Sequence, residues 1–374
     1  MKSNIGVGVI GCGLMGGIHA ACYARENGCR IVGFQNRTRP KADALARKLG
    51  GRVYGTVAEL LADPEIDAVS ICSSQQVHAE QILAAVAAGK DVLSEKPLAL
   101  TVRELDAVER AVAQARRILM VGHQLRFHPV TEWVRRQMPR LGPVYHLDLE
   151  MCFRISGHEG RCWMDYRSGG FFMELGVHLA DLARHLLGEI RNVHAHTLRL
   201  NPKRVTEDFT QCLLQHRSNA TSSLIVSANH RTTRQGLLIG RVLGAKGRID
   251  FTIYPYQRSL NQARLVFDAG RSVFVPDETI VKMPPKLPAS PVKVYAGFFD
   301  VYQREIHAFL EAVRTRRPPP VTLADGRSAV EVVLAAYASQ GAATDEGNLL
   351  PGKLRYRADA ACHPLLLGGG FPKT

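Results

Sequence analysis

The sequence predicts an α/β fold in two parts. A doubly wound parallel sheet is expected over residues 1–121, and an α+β domain with a large, mostly antiparallel open sheet over residues 122–340. Three observations carry this expectation. Short continuous apolar runs alternate with amphipathic stretches in the first part, the pattern of a parallel sheet covered on both faces. A glycine cluster, Gly11-Cys12-Gly13-Leu14-Met15-Gly16, stands where the first run gives way to the first amphipathic stretch. Beyond residue 122 the runs follow one another with few helices between them, several alternating polar and apolar.

Taken in order, residues 7–10 predict a buried strand, 16–26 a helix, 30–35 a strand and 41–49 a helix. Strands over 68–72, 91–94 and 118–121 then alternate with helices over 79–88 and 102–115. In the second part, strands are expected over 145–153, 193–200, 210–216, 221–228, 237–243 and 248–253, with late helices near 299–313 and 325–338. Residues 341–374, rich in Pro and Gly, predict an irregular tail.

Lys and Arg number 48 against 34 Asp and Glu, a formal charge of +14 that favours an anionic ligand. The basic residues are scattered, with neither zinc-finger spacing nor an aromatic platform, so a nucleic-acid partner is not expected. No apolar run reaches the ~18 residues of a membrane span, and no membrane partner is expected. None of the eight cysteines forms Cys-x-x-Cys, and glycines interrupt the apolar N-terminal stretch that could pass for a signal peptide. Reduced thiols and a cytoplasmic location are the expectation. His194-x-His196 lacks a third ligand at suitable spacing, so no metal is expected.

Gly-x-Gly-x-x-Gly between a strand and a helix has a mechanism. Gly11 permits the tight turn, and Gly13 lets the backbone approach a pyrophosphate. Gly16 lets strand and helix pack closely, with Leu14 and Met15 between them at the helix N-terminus. This is the Rossmann arrangement for a dinucleotide. Where the second strand ends, an acid usually holds the adenosine ribose; here the chain reads Gln35-Asn36-Arg37-Thr38. Asn36 removes the charge that would repel a 2′-phosphate, Arg37 can pair with one, and Thr38 adds a hydroxyl. NADP(H) is favoured over NAD(H), which stays possible.

At Ser94-Glu95-Lys96-Pro97 the chain resembles the Gfo/Idh/MocA oxidoreductases, over about residues 5–340. Ala88-Gly89-Lys90 before that signature, Val121-Gly122-His123-Gln124-Leu125-Arg126-Phe127 after it, and Gly169-Gly170 leading to Glu174, His178 and Asp181 fit the same pattern. The resemblance implies that Lys96 lies beside the nicotinamide and the substrate hydroxyl, with a Lys96-Pro97 bond that is commonly cis. It also implies that Cys72, Ser73, Ser74, His78 and Glu95 join the cofactor site, and that the second-domain sheet carries the His178 helix on one face and a homodimer or homotetramer contact on the other. Two residues depart from the pattern: Glu174 stands for the usual Asp, and Ser74 for the usual Pro.

Glu174 and His178, four residues apart, share one helix face, and Asp181 follows three later. Removing a hydroxyl proton as hydride leaves carbon needs a base, and a carboxylate beside an imidazole sets its basicity. The catalytic candidates are therefore Lys96, His178 and Glu174, with His123, Arg126, Phe127 and Trp163 as further substrate contacts. The expected function is oxidoreduction of a CH–OH or C=O group in a sugar, sugar derivative or cyclitol, such as ketosugar reduction in secondary metabolism. A redox-neutral glycosidase that keeps its nucleotide and a non-catalytic cofactor sensor are the alternatives.

Overall fold

The computed structural model describes residues 4–153, 165–229, 237–254, 261–267, 272–274 and 299–340. Among them the strands form two sheets, and the chain divides into two compact units.

The first sheet has six strands: β1 (Ile5–Ile10), β2 (Cys29–Gln35), β3 (Arg52–Tyr54), β4 (Ala68–Ile71), β5 (Asp91–Glu95) and β6 (Leu119–Gly122). Their order is β3-β2-β1-β4-β5-β6, and every pairing is parallel. Helices α1 (Leu14–Tyr23), α2 (Arg39–Leu49), α3 (Val57–Ala62), α4 (His78–Ala87) and α5 (Val102–Ala115) make the crossovers. β1 and β4 are buried at every position, which explains sequences that are apolar or glycine apart from Ser70. α5 opens on a capping box in which Thr101 accepts from the Glu104 amide while the Glu104 carboxylate accepts from the Thr101 amide. β3 and α3, absent from the sequence reading, have three and six residues, too few to establish a period. After β6 comes α6 (Pro129–Gln137), and α8 (Phe299–Thr315) packs on α1, so this unit is discontinuous in sequence. Gln303 of α8 donates to the Cys22 carbonyl (3.2 Å) and to Glu26 (2.5 Å).

The second sheet has eight strands in the order β14-β13-β12-β11-β7-β10-β9-β8. They are β7 (Val144–Cys152), β8 (Ile190–Leu198), β9 (Phe209–His216), β10 (Thr221–Ser227), β11 (Leu237–Gly244), β12 (Gly247–Ile253), β13 (Gln262–Phe267) and β14 (Ser272–Phe274). β8–β9, β9–β10, β7–β11 and β13–β14 are antiparallel, and β7–β10 is parallel. One face is apolar, with Leu147, Leu149, Cys212, Leu214, Leu224 and Val226 buried, and α7 (Phe171–Leu187) packs over β7, β9 and β10. Phe171 and Phe172 are fully buried at its start, each contributing about 1.5–3 kcal/mol. α9 (Leu323–Ser339) contributes its residues to Val330 to the first unit and the rest to the second. The tail expected over 341–374 lies outside the described residues.

Candidate active site

β1 ends at Ile10, and three glycines turn the chain into α1. Gly11 has φ of +89°, and a Cβ there would lie 2.6 Å from the Cys72 carbonyl and the Ser73 nitrogen. A Cβ on Gly16 would run into the Gly11 carbonyl oxygen. A Cβ on Gly13 would meet nothing within 4 Å. Two glycines are thus required by packing and the third leaves open space. Gly13 is also the N-cap of α1 and gives it no side-chain cap, so the first amides of the helix, with those of Leu14 and Met15, are left to another acceptor. An anion at this helix end fits, and the cradle suits a dinucleotide pyrophosphate.

Asn36 does more than remove a charge. Its Oδ1 accepts from the Cys12 amide (2.8 Å) and its Nδ2 donates to the Thr38 carbonyl (2.9 Å), which ties the glycine turn to the end of β2. Arg37 and Thr38 are exposed beyond it, and Arg37 has no hydrogen bond or ion pair among the described residues. After β4, the Ser73 hydroxyl donates to Gln81 (2.6 Å), and the Ser74 hydroxyl is buried without a partner among the described residues. Cys72 is buried, and burial with the Glu95 charge pushes its thiol well above the ordinary range. His78 lies between two carbonyls, with Nδ1 2.8 Å from Pro97 O and Nε2 3.2 Å from Ser73 O, and a neutral ring donates to one of them. Burial lowers its pKa. Those contacts make His78 a strut between the loop after β4 and the turn after β5.

That turn contains the cis Lys96-Pro97 bond. Lys96 is half-buried, and its amide donates to Glu95 Oε2 (3.3 Å). Glu95 is itself buried, with Oε1 3.2 Å from Nε2 of a fully buried His19 on α1. His19 Nδ1 lies 2.9 Å from the Ser70 hydroxyl, which is 3.0 Å from the Tyr23 hydroxyl. Burial pushes the Glu95 carboxyl up, but the His19 hydrogen bond and charge, with Lys96 and His78, outweigh it and hold the group below its ordinary value. The sequence reading missed His19. Its one signal is a titratable residue on the helix face it shares with Met15, Gly16, Cys22 and Tyr23.

In the second unit α7 carries Glu174, half-buried, and His178, 7% exposed, on one face, with Asp181 buried three residues on. Gly169 and Gly170 precede it with φ of +87° and +88°. Gly170 is the N-cap and has no side chain to satisfy the first amides. Glu207, from the loop before β9, supplies the missing acceptor: its Oε1 accepts from the Phe172 amide (2.7 Å) and from the Tyr337 hydroxyl (2.6 Å). Tyr337 in turn accepts from the Met173 amide (3.3 Å). Burial pushes the Glu207 carboxyl up to about 7, against the opposing bonds from Phe172 and Tyr337. Glu207 and Tyr337 were not foreseen, since neither is near α7 in sequence.

Of the other expected contacts, His123 is buried and Phe127 half-buried in the turn after β6. Arg126 pairs with Asp325 (3.1 Å), an ion pair that, with Thr322, holds the Asp325 carboxyl at about 2 although burial raises it. Arg126 is thus ion-paired within the first unit. Trp163 lies outside the described residues.

A parallel sheet whose first turn is a glycine cradle for a dinucleotide, and which ends a neighbouring strand on Glu-Lys-Pro, defines a nicotinamide-dependent oxidoreductase class. The chain belongs to the Gfo/Idh/MocA family: residues 5–123 match the oxidoreductase family's NAD-binding Rossmann fold, and residues 140–344 its C-terminal alpha/beta domain. It is 28% identical to the scyllo-inositol 2-dehydrogenase (NAD(+)) of Bacillus subtilis over 346 residues, 90% of this chain and 94% of that protein. It is likewise 28% identical to D-xylose 1-dehydrogenase (NADP(+)) 2 of Haloferax volcanii, across 91% of this chain and 98% of that one. In fold it is similar to an oxidoreductase from Agrobacterium radiobacter solved with NAD+, L-tartaric acid and magnesium (TM-score 0.80, 21% identity, 90% and 96% of the two chains).

Proposed function

We propose that this protein interconverts a secondary alcohol and a carbonyl of a sugar, sugar derivative or cyclitol, with NADP(H) as the favoured cofactor. The carrying observation is in the first unit. The glycine turn after β1, the Ser73-Ser74 loop after β4 and Lys96 after β5 follow three neighbouring parallel strands, at the point where the strand order reverses. Such switch points are where open α/β sheets bind ligands. The inositol and xylose dehydrogenases among its relatives support a polyhydroxylated substrate.

The nicotinamide, when bound, supplies the hydride acceptor or donor. Gly13 and the first amides of α1 would hold the pyrophosphate, Asn36 fixes the turn that presents them, and Arg37, without a hydrogen bond or ion pair among the described residues, would meet the 2′-phosphate. Lys96 donates a hydrogen bond to the reacting oxygen, stabilising the charge that develops there. His178 takes the hydroxyl proton in oxidation and returns it in reduction, with Glu174 on the same helix face supporting the imidazolium. The outward face of the second sheet, where Leu213 and Ile239 are exposed, supports self-association of the chain.

The test is a screen of polyols, aldoses and ketosugars with each nicotinamide, followed by absorbance of the reduced form. Stoichiometric turnover of free cofactor is expected. Turnover of a glycoside with no net change in cofactor would replace this reading with the redox-neutral one.

A further inference from the structure

Every helix start leaves backbone amides without an intrahelical acceptor, and a side chain at the N-cap ordinarily supplies one. α7 cannot do this, because its N-cap is Gly170. A side chain there would also be obstructed: with φ at +88°, a Cβ would lie 2.8 Å and 2.9 Å from the Glu207 carboxylate oxygens and 2.9 Å from the Tyr337 hydroxyl. The glycine thus makes room for an acceptor delivered from elsewhere in the fold. Glu207 is fully buried, 35 residues along the chain from Phe172, and takes its amide at 2.7 Å. Tyr337 bridges the Glu207 carboxylate and the Met173 amide, and its hydroxyl lies 3.0 Å from the Gly169 carbonyl. The second and third amides of α7 are therefore bound by groups from two other segments. Glu174 is the next residue, and its own amide bonds back to Gly170 (3.3 Å).

We infer that Glu207, assisted by Tyr337, is a positioning residue for the reaction: by capping α7 from outside, it fixes the rotation and axial setting of the helix that presents Glu174 and His178. The inference rests on the roles proposed above for those two residues. A helix end held only by its own turn frays. Glu174 sits in that first turn, with His178 one turn further in, so loss of the cap loosens the carboxylate first and the base second. Buried hydrophobic contacts of Phe171 and Phe172 keep α7 on the sheet in either case. The expected defect is thus one of alignment, which appears in turnover before it appears in folding.

Three variants test this. Glu207→Ala removes the acceptor. Glu207→Gln keeps an oxygen for the Phe172 amide and should rescue most of the loss. Tyr337→Phe leaves the ring and withdraws one hydroxyl. In Glu207→Ala, amide hydrogen exchange over residues 171–175 should rise about tenfold or more, with residues 179–187 near wild type. With active sites counted by nicotinamide binding, kcat should fall roughly tenfold while the cofactor Kd stays within about twofold. Tyr337→Phe should move both readouts the same way, by about threefold, and carries the test if Glu207→Ala does not fold. Unchanged exchange at the helix start, or a lowered Tm with kcat per bound cofactor intact, would overturn the inference. A still active His178→Ala would instead remove the functional reading on which it rests; an inactive His178→Ala beside a fully active Glu207→Ala fails the inference alone.

Discussion

The two units hold their candidate functional groups by different means. In the first, the candidate groups are largely backbone and sit in contiguous turns. The glycine cradle spans six residues, and Glu95-Lys96-Pro97 three. Their supports, Asn36, His78 and the His19–Glu95 pair, lie at the ends of neighbouring strands or on the adjoining helix. In the second, the candidates are side chains on one helix, whose first amides are bound by Glu207 and Tyr337, far from it in sequence. A cofactor shared by many enzymes can be held by a local motif. A helix whose start is capped from outside draws on contacts that only the complete fold assembles.

The largest expected effect tests whether both units supply chemistry. Lys96→Ala and His178→Ala should each lower kcat on the order of a hundredfold or more while leaving cofactor affinity within about threefold. Near-normal turnover in either variant would confine the chemistry to the other unit. Glu174→Gln should fall between these variants and wild type, with the base titrating at lower pH, because a neighbouring carboxylate raises a histidine's pKa. A pH–kcat profile unmoved by Glu174→Gln would limit that residue to binding.

The next effect separates two glycines of one motif. Gly13→Ala has room in the fold and should leave Tm within about 2 °C, yet weaken the nicotinamide dinucleotide about tenfold or more by obstructing its approach. Gly16→Ala drives a methyl into the Gly11 carbonyl and should lower Tm before any ligand is added. Equal stability losses in both would show that Gly13 serves packing and not the ligand. Calorimetry and cofactor titration of the two variants decide the matter.

These contrasts follow what could be read from the residues. The parallel sheet was legible because β1, β4 and β5 are buried at every position, so that apolar residues dominate β1 and the middle of β5 and only Ser70 interrupts β4. The second sheet showed in the alternation of β9 and β10, where buried and more exposed positions take turns. β3 and α3 were not visible, because edge strands and one-turn helices carry too few residues for a pattern. Within the first unit, Asn36 was identified but its bond to the Cys12 amide was not, since sequence shows that a charge is absent and not what the amide does instead. Arg126 was a candidate substrate contact, and its ion pair with Asp325, almost two hundred residues away, could not be read from the sequence. His19 and Glu207 were overlooked for the same reason, as a buried polar residue is recognisable only once its partners are in place.

A smaller effect concerns cofactor choice. If Arg37 meets the 2′-phosphate, Arg37→Ala should lower kcat/KM for NADP(H) about tenfold and change that for NAD(H) less than twofold. Because Asn36 is occupied in holding the turn, Asn36→Asp should preserve the bond from the Cys12 amide and shift preference towards NAD(H) by placing a charge beside the phosphate site. Equal effects on both cofactors would assign Arg37 to the surface and leave Asn36 as the only determinant in this turn.

The smallest effect returns to the two units, which should answer pH with opposite sign. His128 is buried at the start of α6, where its Nδ1 accepts from the Val130 amide (3.2 Å), a bond that needs the neutral ring. Burial, with the Arg304 charge, lowers its pKa from 6.5 to about 3. Unfolded chain takes up this proton near 6.5 and folded protein does not, so stability is lost as pH falls from 6.5 towards 3. Glu207 works the other way. Burial raises it from 4.5 to about 7, so the unfolded chain releases the proton first, and stability is lost as pH rises from 4.5 to 7. Removing each group should cancel its slope. The Tm difference between His128→Asn and wild type should grow more favourable by a few degrees between about pH 7 and pH 5, and that for Glu207→Gln should do so between about pH 5 and pH 8. Asn retains an oxygen for the Val130 amide, and Gln one for the Phe172 amide, so neither variant confounds the slope with a lost cap. Melting curves at four or five pH values suffice; two parallel, flat difference plots would show that these buried groups do not set the acid and alkaline limits of their units.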